Sequence, residues 1–128
     1  MSPNRPREQA LRLITLLVSL HSLLLGLTMM VFPSRFLAFV GWPNPERPFY
    51  PSQSGVFLII LAVAYFFALK HRGMVRFIIF SKMAAVAFLL AHGLFISAPP
   101  VIFLTATLDG LMGLALWVLY CTTGKPVE

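Results

Sequence analysis

Four long stretches of apolar residues, separated by short polar or proline-marked breaks, dominate the chain. The first runs from Ala10 to Phe32 and is interrupted by Arg12, Thr15, Ser19, His21, Ser22 and Thr28. The second covers Ser52 to Leu69. The third, Phe77 to Ser97, contains Ser81, Lys82 and His92, and the fourth, Val101 to Tyr120, contains Thr105, Thr107 and Asp109. A bilayer core about 30 Å thick is crossed by about 20 such residues in a helix. A membrane-barrel strand has about 10 residues of alternating polarity, whereas these runs are continuously apolar, and in lipid only a helix satisfies the backbone of such a run. The pattern therefore predicts an all-α membrane protein with a single domain, a four-transmembrane-helix bundle with spans at about 10–32, 52–69, 77–97 and 101–120. Pro99 and Pro100 cannot continue a helix and restrict the residues before them, so the last two spans form an antiparallel hairpin.

The first run has a basic start, as a cleavable signal does, but it exceeds the roughly 7 to 15 apolar residues of a signal and ends in Met-Met-Val-Phe-Pro. It reads as an uncleaved helix.

Composition agrees: 59% of the 128 residues are hydrophobic and 11% charged, against about 25% charged in soluble domains. The formal charge of +6 does not signal nucleic acid, because the basic residues sit at the ends of apolar runs rather than among stacking aromatics. Membrane lipids, with their anionic headgroups, are the matching partner. Arg5, Arg7, Arg12, Lys70, Arg72, Arg76 and Lys125 fall on one side of the membrane, and Arg35 and Arg47, beside Glu46, on the other. The positive-inside rule then places both termini in the cytoplasm, in what reads as a bacterial inner membrane. Cys121 is the sole cysteine, so no internal disulfide forms.

The connection from Pro33 to Pro51 mixes prolines with Phe36, Leu37, Phe39, Val40, Trp42, Phe49 and Tyr50. Ser34 to Val40 is expected as one or two helical turns in the outer interface, with Phe36, Phe39 and Val40 inward and Arg35 at the headgroups. Trp42 and Tyr50 are the expected interfacial anchors. The loop reads either as a membrane-hugging connector or as a lid over a lateral cavity. Ala84, Ala85, Ala87 and Ala91 in the third span, and Ala106, Gly110 and Gly113 in the fourth, provide small surfaces for close packing within the chain.

The ionisable residues inside the spans carry the candidate chemistry: His21, Lys82, His92 and Asp109. Charge in hydrocarbon is costly, and such groups face the bundle interior, a partner or water. At about 1.5 Å of rise per residue, His21 lies about 15 Å and Asp109 about 18 Å from the cytoplasmic side, Lys82 about 8 Å and His92 about 23 Å. Side chains lean toward their helix N-terminus, which carries Lys82 and Asp109 apart. The expected intramembrane polar cluster is therefore a His21–Asp109 pair extended by Gln53, His92 and Thr105. Lys82 is expected to snorkel and join Lys70, Arg72 and Arg76 as a cytoplasmic-side basic group. The cluster reads as a lock on helix register, or as the site of a ligand or proton relay.

The offset of about 8 Å between His21 and His92 disfavours a shared haem, and leaves haem or chlorophyll a poor fit. No metal site is expected. Motifs of the CxxC, HExxH, GxSxG and phosphate-loop types are absent, so catalytic residues are not assigned and an enzyme is not the favoured reading.

Phe32-Pro33-x-x-Phe36, Gly41-Trp42, Gln53-x-Gly55, the Lys82-bearing third span and Asp109-Gly110 give the chain, over roughly residues 10 to 120, a pattern that resembles the small bacterial four-helix DoxX-like membrane proteins. The resemblance implies a four-helix fold and, for some members, a link to membrane redox or quinone-associated complexes; a lone Cys121 departs from any dithiol chemistry. The leading expectation is an integral membrane accessory or structural subunit of a larger membrane complex, with a lipid or quinone bound between its helices. The alternative is a small membrane enzyme or carrier acting on a hydrophobic molecule through Asp109 and the histidines. A membrane-surface adaptor using Lys70 to Arg76 ranks third.

Overall fold

The computed structural model describes residues 5–43, 49–96 and 98–124. Glu46, Arg47 and Lys125, which entered the charge reading, lie outside the described residues. The described residues form, in order, α1 (Arg5–Val31), α2 (Pro33–Phe39), α3 (Phe49–Ala68), α4 (Val75–Phe95) and α5 (Val101–Thr122), with a 3-10 turn at Arg72–Met74 leading into α4. Among the described residues, four segments are long and apolar enough to cross a membrane: α1, α3, Arg72–Phe95 and α5. The chain is an integral membrane protein with an all-α four-helix bundle.

Polar residues within these helices bond mostly to their own helix. Thr15, Ser19, Thr28, Ser81, Thr105 and Thr107 each donate to the carbonyl four residues earlier, at 2.7 to 3.0 Å. That local bond lets a hydroxyl reside in hydrocarbon without leaving a donor unpaired.

Antiparallel packing runs in two pairs. α1 lies along α3 and α4 along α5; the pairs meet mainly where α1 touches α5, while the backbones of α3 and α4, although consecutive spans, stay apart and meet through side chains such as Tyr65 and Phe77, whose ring centres are 6.3 Å apart. At the α1–α3 crossing a Cβ on Gly26 would stand 2.8 Å from the Gly55 carbonyl oxygen, and one on Gly55 2.6 Å from the Gly26 oxygen and the Met30 nitrogen. Only glycine permits that approach, and with no hydrophobic drive between helices in lipid, close van der Waals contact is what holds them. Leu11, Val18, Tyr65, Ala68, Val75, Ile78 and Leu116 build the core toward the end that carries residues 5 and 122. Many other apolar residues face outward, including Leu24, Phe57, Phe80, Phe88 and Leu104, as a lipid-facing surface requires.

The expected interfacial helix is present as α2. Pro33 begins it, and Gly41, at φ 75°, ends it: the Gly41 N–H bonds the Ala38 carbonyl and the Trp42 N–H the Leu37 carbonyl. These two bonds are the Schellman arrangement, which needs a left-handed residue. Leu37 is the residue that α2 buries, and Phe39, expected inward, is almost fully exposed within the protein. Trp42 and Tyr50 are exposed at this same end.

Of the alanines expected to pack, Ala84, Ala87 and Ala91 are exposed and Ala85 is half-buried, whereas Ala106 and Gly113 are buried. The third span therefore turns three of these four alanines outward, and the α4–α5 contact sets small residues of each helix against larger side chains of the other: Gly113 against Met83 and Lys82, and Gly93 against Phe103 and Ile102.

Candidate functional site: an intramembrane ion pair

Lys82 of α4 donates to Asp109 of α5, Nζ to Oδ1, at 2.5 Å, with side chains 7% and 11% exposed. The expectation that Lys82 snorkels and that Asp109 pairs with His21 is thus corrected. Its physical reason is one glycine. A Cβ built on Gly113 would lie 3.2 Å from the Lys82 Cβ, so the lysine backbone stands level with Gly113, four residues and about 6 Å below Asp109 along α5. The Met83 methyl and the Lys82 Cβ pack against Gly113, and from that close approach the four-carbon lysine stem is long enough to climb the single turn to Asp109. Depth counting placed the two backbones correctly apart but ignored how far a lysine reaches.

Once the two charges are in contact, separation is unfavourable. A buried charge deprived of its partner costs about 3–5 kcal/mol, and at this depth neither group has the aqueous alternative that would offset the loss.

Two residues flank the pair. His21 of α1 stands close enough to feel both the Lys82 and the Asp109 charge, and its Nδ1 is buried without a hydrogen-bond partner. Tyr65 of α3, 2% exposed, places its hydroxyl by the Ser81 hydroxyl and within reach of the Asp109 charge. All four spanning helices therefore contribute to one polar locus: His21, Tyr65, Ser81 with Lys82, and Asp109. Sequence reasoning missed Tyr65 and Ser81. The available signal was a tyrosine in the middle of an apolar run, because a buried phenol needs a partner.

The other expected members lie elsewhere. Gln53 is exposed near the start of α3. Thr105 bonds its own helix at Val101. His92 Nδ1 lies 3.0 Å from the Phe88 carbonyl, with its ring 4.0 Å from the Phe88 ring; it sits ten residues beyond Lys82, about 15 Å along α4, and cannot join the pair.

A second polar group closes the end of the bundle near residues 5 and 122. Arg72 Nη2 donates to the Tyr120 carbonyl at 3.1 Å, Arg76 Nε to the Tyr120 hydroxyl at 2.7 Å, and Arg7 Nη1 to the Thr122 carbonyl at 3.3 Å. The Arg72 and Arg76 guanidiniums also stand 5.2 and 5.5 Å from the Tyr120 ring centre. Cations here complement the negative end of the α5 dipole and cover carbonyls that the helix leaves unpaired. Lys70 is exposed nearby in sequence.

Two hollows open on the flanks. One, about 320 Å³, lies between α1 and α5 and is lined by Ile14, Leu17, Val18, Leu111, Met112 and Ala115. The other, about 300 Å³, lies between α1 and α2 against Thr28, Phe32, Arg35, Phe36 and Phe39.

No protein-family model, curated protein or solved structure matches the chain.

Proposed function

We propose that the chain is an accessory or structural subunit of a membrane complex, holding a lipid or quinone in the apolar groove between α1 and α5. The observation that carries this reading is the Lys82–Asp109 contact. The strongest base and the strongest acid inside the membrane are spent on each other, which suits a fixed helix register better than proton transfer to a substrate. Around that fixed centre the outward faces are apolar and present surface for lipid and for neighbouring subunits. Arg5, Arg7, Arg12, Lys70, Arg72 and Arg76 all lie toward one end, which supports an orientation with both termini in the cytoplasm of a bacterium. The DoxX-like resemblance supports the same class of role.

Native mass spectrometry of the protein gently extracted from its own membrane tests the reading. A stoichiometric complex heavier than one chain, carrying a lipid or quinone, is the expected result; a lone chain free of both ends it. A reporter fused after Glu128 is expected to be active only in the cytoplasm.

His21 favours a second reading, a small enzyme or carrier for a hydrophobic molecule. Its buried, unpartnered Nδ1 is a group that a ligand could satisfy beside the ion pair. Under that reading His21→Phe abolishes turnover or transport while the protein still folds and inserts; as a subunit the variant retains its assembly.

A further inference from the structure

We infer that the α1–α5 groove binds one acyl chain of an anionic phospholipid whose phosphate is held by Arg7, an inference that rests on the reading that an apolar chain enters between these helices. Arg7 precedes Ile14 by seven residues and Val18 by eleven, two and three helical turns, so the three share one face of α1. On α5, Thr122 follows Ala115 by seven residues and shares its face in the same way. The bond from Arg7 to the Thr122 carbonyl therefore bridges the two helices directly above the groove that Ile14, Val18 and Ala115 line. The vertical offset is about 10 Å. That carries the groove past a headgroup layer about 5–8 Å thick and into the hydrocarbon.

The charge fits as well. An arginine has five N–H donors, and the Thr122 contact uses one. Glu8, the nearest acid in sequence, faces Arg12 at 3.9 Å, and among the described residues no carboxylate pairs with Arg7. Arg7 is exposed, and its fork matches phosphate oxygens in a bidentate manner. Arg72, on the Tyr120 carbonyl, offsets the negative end of α5 that would otherwise repel an anion. A neutral quinone can accept a hydrogen bond from this cation but brings no charge to match it, so the arginine favours the anionic lipid among molecules the groove admits.

The test uses the full chain in neutral detergent, with bound lipid counted by native mass spectrometry during titration with phosphatidylglycerol, phosphatidylcholine or ubiquinone. The wild type is expected to prefer phosphatidylglycerol over phosphatidylcholine by about fivefold, the effect of one cation at an anionic lipid. Arg7→Gln removes that preference and leaves phosphatidylcholine binding unchanged. Ala115→Phe, which fills the groove, removes both; Leu111→Trp serves if Ala115→Phe loses its helical circular dichroism. Equal binding of the two phospholipids by wild type, or a preference that survives Arg7→Gln, overturns the headgroup assignment. If the groove variants still displace phosphatidylcholine or ubiquinone in that case, the groove reading stands alone. Groove variants that change none of the three ligands overturn both.

Discussion

Where α1 crosses α3, backbone meets backbone at Gly26 and Gly55; where α4 crosses α5, a lysine side chain climbs past Gly113 to reach Asp109. The first contact is made by removing side chains, the second by adding charged ones. Each uses a glycine, but for different ends: at Gly55 it lets main chains touch, and at Gly113 it admits the Met83 methyl and the base of the Lys82 side chain. The difference teaches which contact fixes what. Van der Waals contact between glycines holds two helices close, whereas a single charged pair in a low-dielectric interior sets register, since a slip of one turn would strand both charges.

The largest effect follows from breaking the charged contact on one side. Asp109→Leu leaves Lys82 buried without a partner and is expected to lower stability by about 3–5 kcal/mol, read from denaturant or thermal unfolding in detergent. Lys82→Met combined with Asp109→Leu recovers most of that loss, because an apolar pair of similar volume replaces a buried ion pair at little cost. A double variant as unstable as the single one would show that the pair contributes more than its charges.

The glycine contact is next in size. Gly55→Ala places a methyl 2.6 Å from two backbone atoms of α1, neither of which can rotate away, and an overpacked contact costs about 1–3 kcal/mol. Gly110→Ala is the control: its Cβ meets Val86 Cγ2 at 3.7 Å, an ordinary contact, and the gain in helix propensity makes it neutral or stabilising by up to about 1 kcal/mol. Equal losses at the two positions would remove the distinction between backbone contact and side-chain contact.

The fold was readable because its strongest signal is continuous hydrophobicity. The spans end within a few residues of where apolar runs stop, α2 begins at Pro33, and Pro99-Pro100 turns the chain into α5. The site was less readable because residue counting gives the depth of a backbone and not the reach of a side chain. Lys82, expected at the headgroups, takes the carboxylate that residue counting gave to His21, and the close approach at Gly113 is a feature that carries no chemistry of its own. The alanines misled for a related reason: a small residue is equally at home against another helix or against lipid, and the pattern along one helix does not say which face is covered.

Smaller effects belong to the charged end of the bundle. Tyr120→Phe deletes the hydroxyl that accepts from Arg76 but keeps the ring beneath both guanidiniums. The loss is expected to be about 0.5–1.5 kcal/mol, that of one ordinary hydrogen bond. Tyr120→Ala, which also removes the ring, costs more by roughly 0.5–1 kcal/mol for each exposed cation–π contact.

The smallest effect is expected where small residues make no contact. Ala87 and Ala91 lie one turn apart on α4 and are exposed, so Ala87→Leu with Ala91→Leu adds side chains that meet lipid or detergent. Stability is expected to change by less than about 0.5 kcal/mol, as for substitutions away from packed features. The informative measurement is oligomeric state, by light scattering or single-molecule photobleaching in lipid. If the double variant stays folded but shifts to a smaller species, the alanine stripe is a helix–helix contact between chains, and the α4 face then belongs with Gly26 and Gly55 as a site of close backbone approach. An unchanged species leaves α4 a lipid-facing helix on this side, tied to the bundle through α5 and the Lys82 pair.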